Sequence, residues 1–154
     1  MNQESKQLVL KDLCARLPYG VKCSFGVDEA VYEICGINPV CCGASEIQAT
    51  HIKSGINGDF VINACKPYLF PLSSMTEEQK KEFYKLFEEG ITEYKNETKQ
   101  WLKTKKASKT KRPITIAYVM VHELVVDWLN KNNFDYRGLI EKGLALDATN
   151  LGIY

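Results

Sequence analysis

The chain has 154 residues, of which 45% are hydrophobic and 25% are charged, and its formal net charge is +1 at pH 7. These values are typical of a globular protein and exclude a fibrous or intrinsically disordered chain, and the length predicts a single domain over residues 1–154. No apolar run approaches the about 20 residues that cross a bilayer, and the polar first residues are unlike a secretory leader. We therefore expect a cytoplasmic protein that has no membrane partner.

The cysteine content predicts free thiols. The chain has six cysteines and shows no secretory leader, and cysteines in the cytosol normally stay reduced. Several of them have apolar neighbours, and cysteine packs in protein cores as a small hydrophobic residue. We expect mostly buried thiols, no disulfide framework and no cofactor.

The first half of the chain predicts one helix followed by short strands. Apolar residues at gaps of three and four predict a helix over residues 8–17, which Pro18, Tyr19 and Gly20 would end. The next segments are rich in Val, Ile and Tyr and are separated by turn residues, so each predicts a strand: 21–25, 30–37, 46–52 and 59–65. Two prolines in residues 66–72 argue against a central strand there.

The second half predicts helices. Residues 74–102 have a helical apolar face and an N-terminal capping box, formed either by Thr76 with Gln79 or by Ser74 with Glu77. Further helices are predicted at 115–131 and at 135–143, the latter with Asp135 as N-cap, and a basic loop at 103–113. The fold class is therefore α+β: a small SH3-like β-barrel or a strongly twisted antiparallel sheet at 21–65, flanked by an N-terminal helix and a helical C-terminal half.

Three well-separated segments carry a family resemblance. Residues 11–22 are KDLCARLPYGVK, residues 66–76 include KPYL and PLSSMT, and residues 127–140 include DWLN and FDYRGLI. Together they resemble an uncharacterised protein family of gut Bacteroides genomes, prophages and phages. The resemblance implies a bacterial or phage setting in the cytosol of the host cell, and it supplies no catalytic residue. Members of that family have two histidines in the region 130–134, where this chain has Lys131, Asn132 and Asn133.

The patterns that would indicate an enzyme or a metal site are incomplete. His122 and Glu123 begin like a zinc-protease helix, but Val126 stands where the second imidazole ligand is needed. A cysteine nucleophile needs a nearby base, and only His51 lies where a hairpin could bring it to Cys41 or Cys42. We therefore predict no metal site and no enzyme, and a cysteine-dependent enzyme is the weakest alternative.

A lysine-rich segment supports a second alternative, a nucleic-acid-binding accessory protein. Basic side chains contact phosphates and an aromatic ring can stack on a base, although a lysine-rich loop more often serves solubility. The residues that would form this site are Lys99, Trp101, Lys103, Lys105, Lys106, Lys109, Lys111 and Arg112.

The leading prediction is a protein-interaction module with an unknown protein partner. A small β structure with exposed edges and no convergent catalytic set favours binding over chemistry. Aromatic residues beside charges are typical of interaction hot spots as well as of packed corners, and this composition occurs at 127–129 and 134–137. The candidate partner-binding residues are Tyr68, Phe70, Asp135, Tyr136 and Arg137.

Overall fold

The structure is a computed structural model that describes the backbone of residues 1–26, 30–39, 45–104 and 114–154, and the side chains of these residues outside 39–45 and 93–120. The contacts divide the chain into two compact units. Unit 1 combines Met1–Ser74 with Asn130–Tyr154, and unit 2 is Met75–Leu129. That the whole chain acts as one domain stays a prediction.

Helix α1 spans Gln3–Arg16 and begins before the predicted residue 8. Asn2 explains the earlier start, because its side chain accepts a hydrogen bond from the backbone N–H of Ser5 at 2.8 Å and so caps the helix. A short 3-10 helix, Leu17–Tyr19, follows α1, and the chain then turns at Gly20 with a φ of 72°. The predicted end of the helix is therefore confirmed.

Unit 1 is built on one mixed, six-stranded sheet. Its strands are β1 Lys22–Ser24, β2 Tyr32–Pro39, β3 Ser45–His51, β4 Asn57–Val61, β5 Lys66–Leu69 and β6 Leu146–Asp147. In the order β4-β3-β2-β1-β5-β6, every neighbouring pair is antiparallel except β5 and β6, which are parallel. The α+β class is thus confirmed. The sheet is not closed into a barrel, so an open sheet replaces the barrel alternative.

Strand β5 corrects the expectation that prolines exclude a central strand at residues 66–72. Pro67 pairs with Cys23 of β1, and β6 lies on the other side of β5. Leu69 accepts a hydrogen bond from the N–H of Ala148 at 2.8 Å, so the backbone groups of Pro67, two residues earlier, also face β6. Pairing with β6 begins only at Tyr68. The missing proline N–H therefore interrupts no bond of the β1–β5 ladder.

The core of unit 1 lies between one face of this sheet, α1 and the C-terminal turns. Val9 and Leu13 of α1 are fully buried, as are Ile47 and Ala49 of β3. The same cluster contains apolar residues from β1, β2 and the segments around β5 and β6: Val21, Cys23, Phe25, Ile34, Ile62, Cys65, Leu69, Leu139 and Ala145. Because α1 and the C-terminal turns share the core face, the opposite face of β3 and β4 stays exposed.

The predicted short helix at 135–143 is not formed. These residues make successive turns, and Gly138 and Gly143 have φ values of 67° and 66°, which interrupt a right-handed helix. Asp135 still satisfies backbone donors, because its carboxylate accepts hydrogen bonds from the N–H groups of Leu139 and Ile140, each at 2.8 Å. Its predicted capping role therefore operates on a turn instead of a helix.

Helices α2 and α3 span Glu77–Thr104 and Ile114–Lys131, close to the predicted ranges. Of the two capping boxes predicted for α2, Thr76 with Gln79 is the one formed: the N–H of Thr76 donates to Oε1 of Gln79 at 2.9 Å, and the N–H of Gln79 donates to Oγ1 of Thr76 at 3.2 Å. Gly90 lies inside α2 and packs against Val121 of α3.

Among the described residues, no helix is long and apolar enough to span a membrane.

Candidate functional site

The hairpin that joins β3 to β4 forms a tight, exposed turn at one end of the sheet. The N–H of His51 donates to the carbonyl of Ile56 at 2.9 Å, and the N–H of Gly55 donates to the carbonyl of His51 at 2.8 Å. Gly55 has a φ of 70°, a left-handed conformation that glycine adopts without strain. These bonds fix the register of β4 against β3 and place His51 opposite Ile56.

A pocket of about 270 Å³ lies beside this turn. It is lined by residues of β2, β3, β4 and the turn: Tyr32, His51, Ser54, Ile56, Asn57, Gly58 and Phe60. Tyr32 packs against His51 with a distance of 5.2 Å between ring centroids, and against Phe60 at 5.0 Å. Small-molecule sites usually enclose about 300–1,000 Å³. The pocket is thus the size of a single large side chain, with aromatic walls and a polar rim.

Gly58 shapes this pocket through the absence of a side chain. On β4 it lies between Ile56 and Phe60 on the same face, and a Cβ at position 58 would come within 3.0 Å of two ring carbons of Phe60. The Phe60 ring leans over Gly58 and stacks on Phe25 at a centroid distance of 3.8 Å. Glycine at this position therefore makes room for the Phe60 ring and permits its stack on Phe25.

His51 and Ser54 stand at the rim of the pocket. The backbone N–H of Ser54 donates to Nδ1 of His51 at 3.2 Å, and the Ser54 hydroxyl lies 2.6 Å from the same atom. Nδ1 therefore acts as an acceptor, and a neutral ring carries its proton on Nε2. In the described residues no carboxylate hydrogen-bonds to His51 to complete a catalytic triad. These bonds stabilise the turn and hold the ring at the rim.

Strand β4 is an edge of the sheet. In the part of the chain that the structure describes, it pairs with β3 alone. Hydrogen-bonded and non-hydrogen-bonded pairs alternate along an antiparallel ladder. Since His51 and Ile56 form a hydrogen-bonded pair, the backbone N–H and C=O groups of Asn57, Asp59 and Val61 point away from β3. All three residues are exposed, so this edge offers a row of free backbone donors and acceptors.

The face of β3 and β4 opposite the pocket is acidic. The register places Glu46 opposite Val61 and Gln48 opposite Asp59 on this face. Glu46 and Asp59 are exposed, and neither carboxylate has an ion-pair partner among the described side chains. An edge strand with free backbone groups is therefore bordered by an aromatic pocket on one face and by negative charge on the other.

The structure brings the candidate partner-binding residues together in unit 1. The N–H of Phe70 donates to the carbonyl of Asn133 at 2.9 Å, and the N–H of Asp135 donates to the carbonyl of Phe70 at 2.7 Å. Tyr68 and Asp135 are buried, whereas Phe70, Tyr136 and Arg137 are partly exposed. Burial leaves Tyr68 and Asp135 little surface for a partner, and a partner role for all five residues stays a prediction.

A buried ionic cluster beside these residues was not predicted. Asp12 and Arg16 lie on the buried face of α1 and are both fully buried, with Arg16 Nε donating to Asp12 Oδ2 at 2.8 Å. Arg16 also donates to the carbonyl of Phe134 at 2.7 Å, and Arg137 lies with its guanidinium 4.5 Å from the centroid of the Tyr136 ring. Burial is the main cause that raises the pKa of Tyr136. The sequence feature that could have indicated this ion pair is the spacing of four residues between Asp12 and Arg16, which places both side chains on one face of a helix.

The thiols divide by burial. Cys14 and Cys35 are exposed, while Cys23 and Cys65 are buried in the core of unit 1. The hydrogen bond with Cys65, together with burial, raises the pKa of the Cys23 thiol well above its ordinary range. Cys23 therefore resists ionisation to the reactive thiolate. From the sequence, His51 is a candidate base for Cys41 or Cys42, but both cysteines lie outside the described residues.

The predicted nucleic-acid site also lies outside the described residues. Lys99, Trp101 and Lys103 belong to α2, but nothing is described of their side chains or of residues 105–113, which contain the other predicted basic residues. Nucleic-acid binding by this segment stays a prediction.

Comparison of the chain with protein-family models, curated proteins and solved structures finds no match. The resemblance to the Bacteroides and phage family stays a prediction as well.

Proposed function

We propose that this chain is a protein-interaction module, without catalytic activity, that binds an extended segment of a partner protein along the open edge of β4. The observation that carries the proposal is the exposed edge with outward backbone groups at Asn57, Asp59 and Val61 beside a pocket of side-chain size. An added strand gains affinity from main-chain hydrogen bonds and specificity from pockets for alternate side chains. The resemblance supports a bacterial or phage setting for this interaction, in the cytosol.

The pocket complements the edge in this proposal. Alternate side chains of an added strand point to opposite faces of the sheet, so every second residue of the partner passes over the pocket face. On that face Ile56 and Phe60 flank Gly58, whose missing side chain makes room for the Phe60 ring. Ile56 has 68% of its surface exposed and Val61 has 52% exposed, and both lie on β4 or next to it. Burial of such apolar surface by a partner adds about 25 cal/mol per Å².

The test is to block the edge without disturbing the β3–β4 ladder. Val61 has a φ of −82°, which proline adopts readily, and its N–H points away from β3. A Val61→Pro variant therefore removes an outward donor, whereas Val61→Ala keeps it and serves as the matched control. Peptides selected from a displayed random library on the parent protein should bind Val61→Ala only slightly more weakly than the parent, through the loss of two methyl groups. They should bind Val61→Pro at least about tenfold more weakly than Val61→Ala, a difference of about 1.4 kcal/mol.

A second measurement leaves the protein unchanged. Two versions of a selected peptide are prepared, one N-methylated at every odd-numbered backbone amide and one at every even-numbered amide. Only one of the two should lose binding, since only one set of amides faces β4. Equal binding of both N-methylated peptides, or equal binding to Val61→Pro and Val61→Ala, would refute the proposed function.

A further inference from the structure

We infer that the segment bound at β4 alternates basic side chains, which face Asp59 and Glu46, with apolar side chains, one of which fills the pocket lined by Tyr32, His51 and Phe60. This inference rests on the proposed function and specifies the chemistry of the partner.

The requirement for basic residues follows from the acidic face. A residue directly opposite Asp59 on an added strand would have its side chain on the same face as Asp59 and Glu46. Opposite charges in such cross-strand positions stabilise the pair, and like charges destabilise it. Since neither carboxylate has an ion-pair partner among the described side chains, a lysine or arginine in the partner supplies the missing charge.

The requirement for an apolar residue follows from the opposite face. The next residue of the partner lies opposite Gly58 or Phe60, on the face that carries the pocket. The pocket is about 270 Å³ in volume, and its walls are the rings of Tyr32, His51 and Phe60. Aromatic rings prefer edge-to-face or offset contacts with another ring, so a phenylalanine side chain suits this space.

The same charges disfavour a second copy of this chain as the occupant. An antiparallel pairing of two β4 edges centred on Asp59 would place the two Asp59 carboxylates opposite each other. Like charges directly opposite on neighbouring strands are destabilising, and charged residues on edge strands are a common means of preventing such self-pairing. The charge of β4 therefore selects a partner of different sequence.

The experiment compares the affinities of two short peptides for the full-length chain. One peptide alternates lysine with apolar residues around a central phenylalanine, and the other has glutamate in place of every lysine. Binding is measured by NMR titration of the isotope-labelled protein. The lysine peptide should bind at least tenfold more tightly than the glutamate peptide. An Asp59→Lys variant should reverse or abolish this preference, and replacing the central phenylalanine with alanine should weaken binding at least fivefold.

The matched control is Glu82→Lys, which changes the net charge by the same amount at an exposed position of α2. It should leave the preference for the lysine peptide unchanged. Equal affinity for the two peptides, or a preference for the lysine peptide that persists in Asp59→Lys, would overturn the inference. If library-selected peptides still lose binding to Val61→Pro in that case, the proposed function stands. If library-selected peptides bind Val61→Pro as well as Val61→Ala, the proposed function itself fails.

Discussion

Asp12 and Arg137 are 125 residues apart in the chain, yet Nη1 of Arg137 donates to Oδ1 of Asp12 at 2.7 Å. The Asp12 carboxylate is fully buried and also accepts hydrogen bonds from Nε and Nη2 of Arg16. A single carboxylate thus joins α1 to the C-terminal turns of unit 1. A buried charge of this kind is costly when its partners are removed.

Replacement of Asp12 should destabilise unit 1 strongly. In Asp12→Ala the guanidinium of Arg16 stays in the core without its carboxylate, so the free energy of unfolding should fall by about 3–5 kcal/mol. Urea unfolding followed by circular dichroism measures this change. Lys11→Ala, next to it on the exposed side of α1, is the control and should change stability by less than about 0.5 kcal/mol. A loss below about 1 kcal/mol in Asp12→Ala would contradict the role assigned to the cluster.

Tyr154 should make the stability of unit 1 depend on alkaline pH. Its hydroxyl accepts a hydrogen bond from the N–H of Lys22 at 3.0 Å and donates to the carbonyl of Tyr68 at 2.9 Å, so it bridges β1 and β5. Tyr154 as a whole is 43% exposed, but its hydroxyl is held between Lys22 and Tyr68, and desolvation there is the main cause that raises its pKa above the ordinary value. The folded state therefore holds this proton more tightly than the unfolded state, and the resulting stability is lost as the pH rises above about 10.

The measurement compares the parent with Tyr154→Phe. At pH 8 the variant should be less stable by about 1–2 kcal/mol, because the N–H of Lys22 and the carbonyl of Tyr68 lose their partner. Above pH of about 10 the difference should shrink, because Tyr154 ionises in the unfolded parent, as phenylalanine cannot, while the folded state still holds the proton. A difference that stays constant from pH 8 to pH 11 would contradict this assignment.

Gly90 should be required for the packing of α2 against α3 within unit 2. A Cβ at position 90 would lie 2.5 Å from Cγ2 of Val121, which is closer than packed carbon atoms approach. Gly90→Ala should therefore destabilise unit 2 by about 1–3 kcal/mol, although alanine favours a helix over glycine by about 1 kcal/mol. Fluorescence of Trp128, whose ring centroid lies 5.5 Å from that of Phe83, reports the unfolding of this unit.

The double variant Gly90→Ala with Val121→Ala separates steric conflict from other causes. Removal of the Val121 methyl groups makes room for the new Cβ, so the double variant should be more stable than Gly90→Ala alone. Simple addition of the two single losses would show that the two residues do not interact.

Features that depend on a few neighbouring residues could be predicted from the sequence. The capping box of Thr76 and Gln79 and the end of α1 are set within one or two turns of chain. The helix predicted at 135–143 failed because Gly138 and Gly143 adopt left-handed conformations that the surrounding turns require. The expectation that Pro67 excludes a central strand was wrong because its backbone groups face β6 and not β1. This could not be foreseen, since β6 is a two-residue strand more than 70 residues later in the chain.

The candidate site likewise could be predicted only where it depends on neighbouring residues in the chain. Segments rich in Val, Ile and Tyr between turn residues predicted strands at 46–52 and 59–65, and β3 and β4 overlap those ranges. The importance of β4 as an edge could not be predicted, because an edge is defined by the absence of a neighbour in the sheet order. The pocket likewise needs Tyr32 from β2 beside Phe60 from β4, with β3 between them.

The sequence by itself determined the α+β class, the helices and most of the strands, because hydrophobic period, caps and turn residues act over a few residues. Only the tertiary structure decided that the sheet stays open, that β4 ends it, and that Asp12 meets Arg137. These features arise from contacts between distant segments, whose energies depend on register and burial and leave no local pattern in the chain.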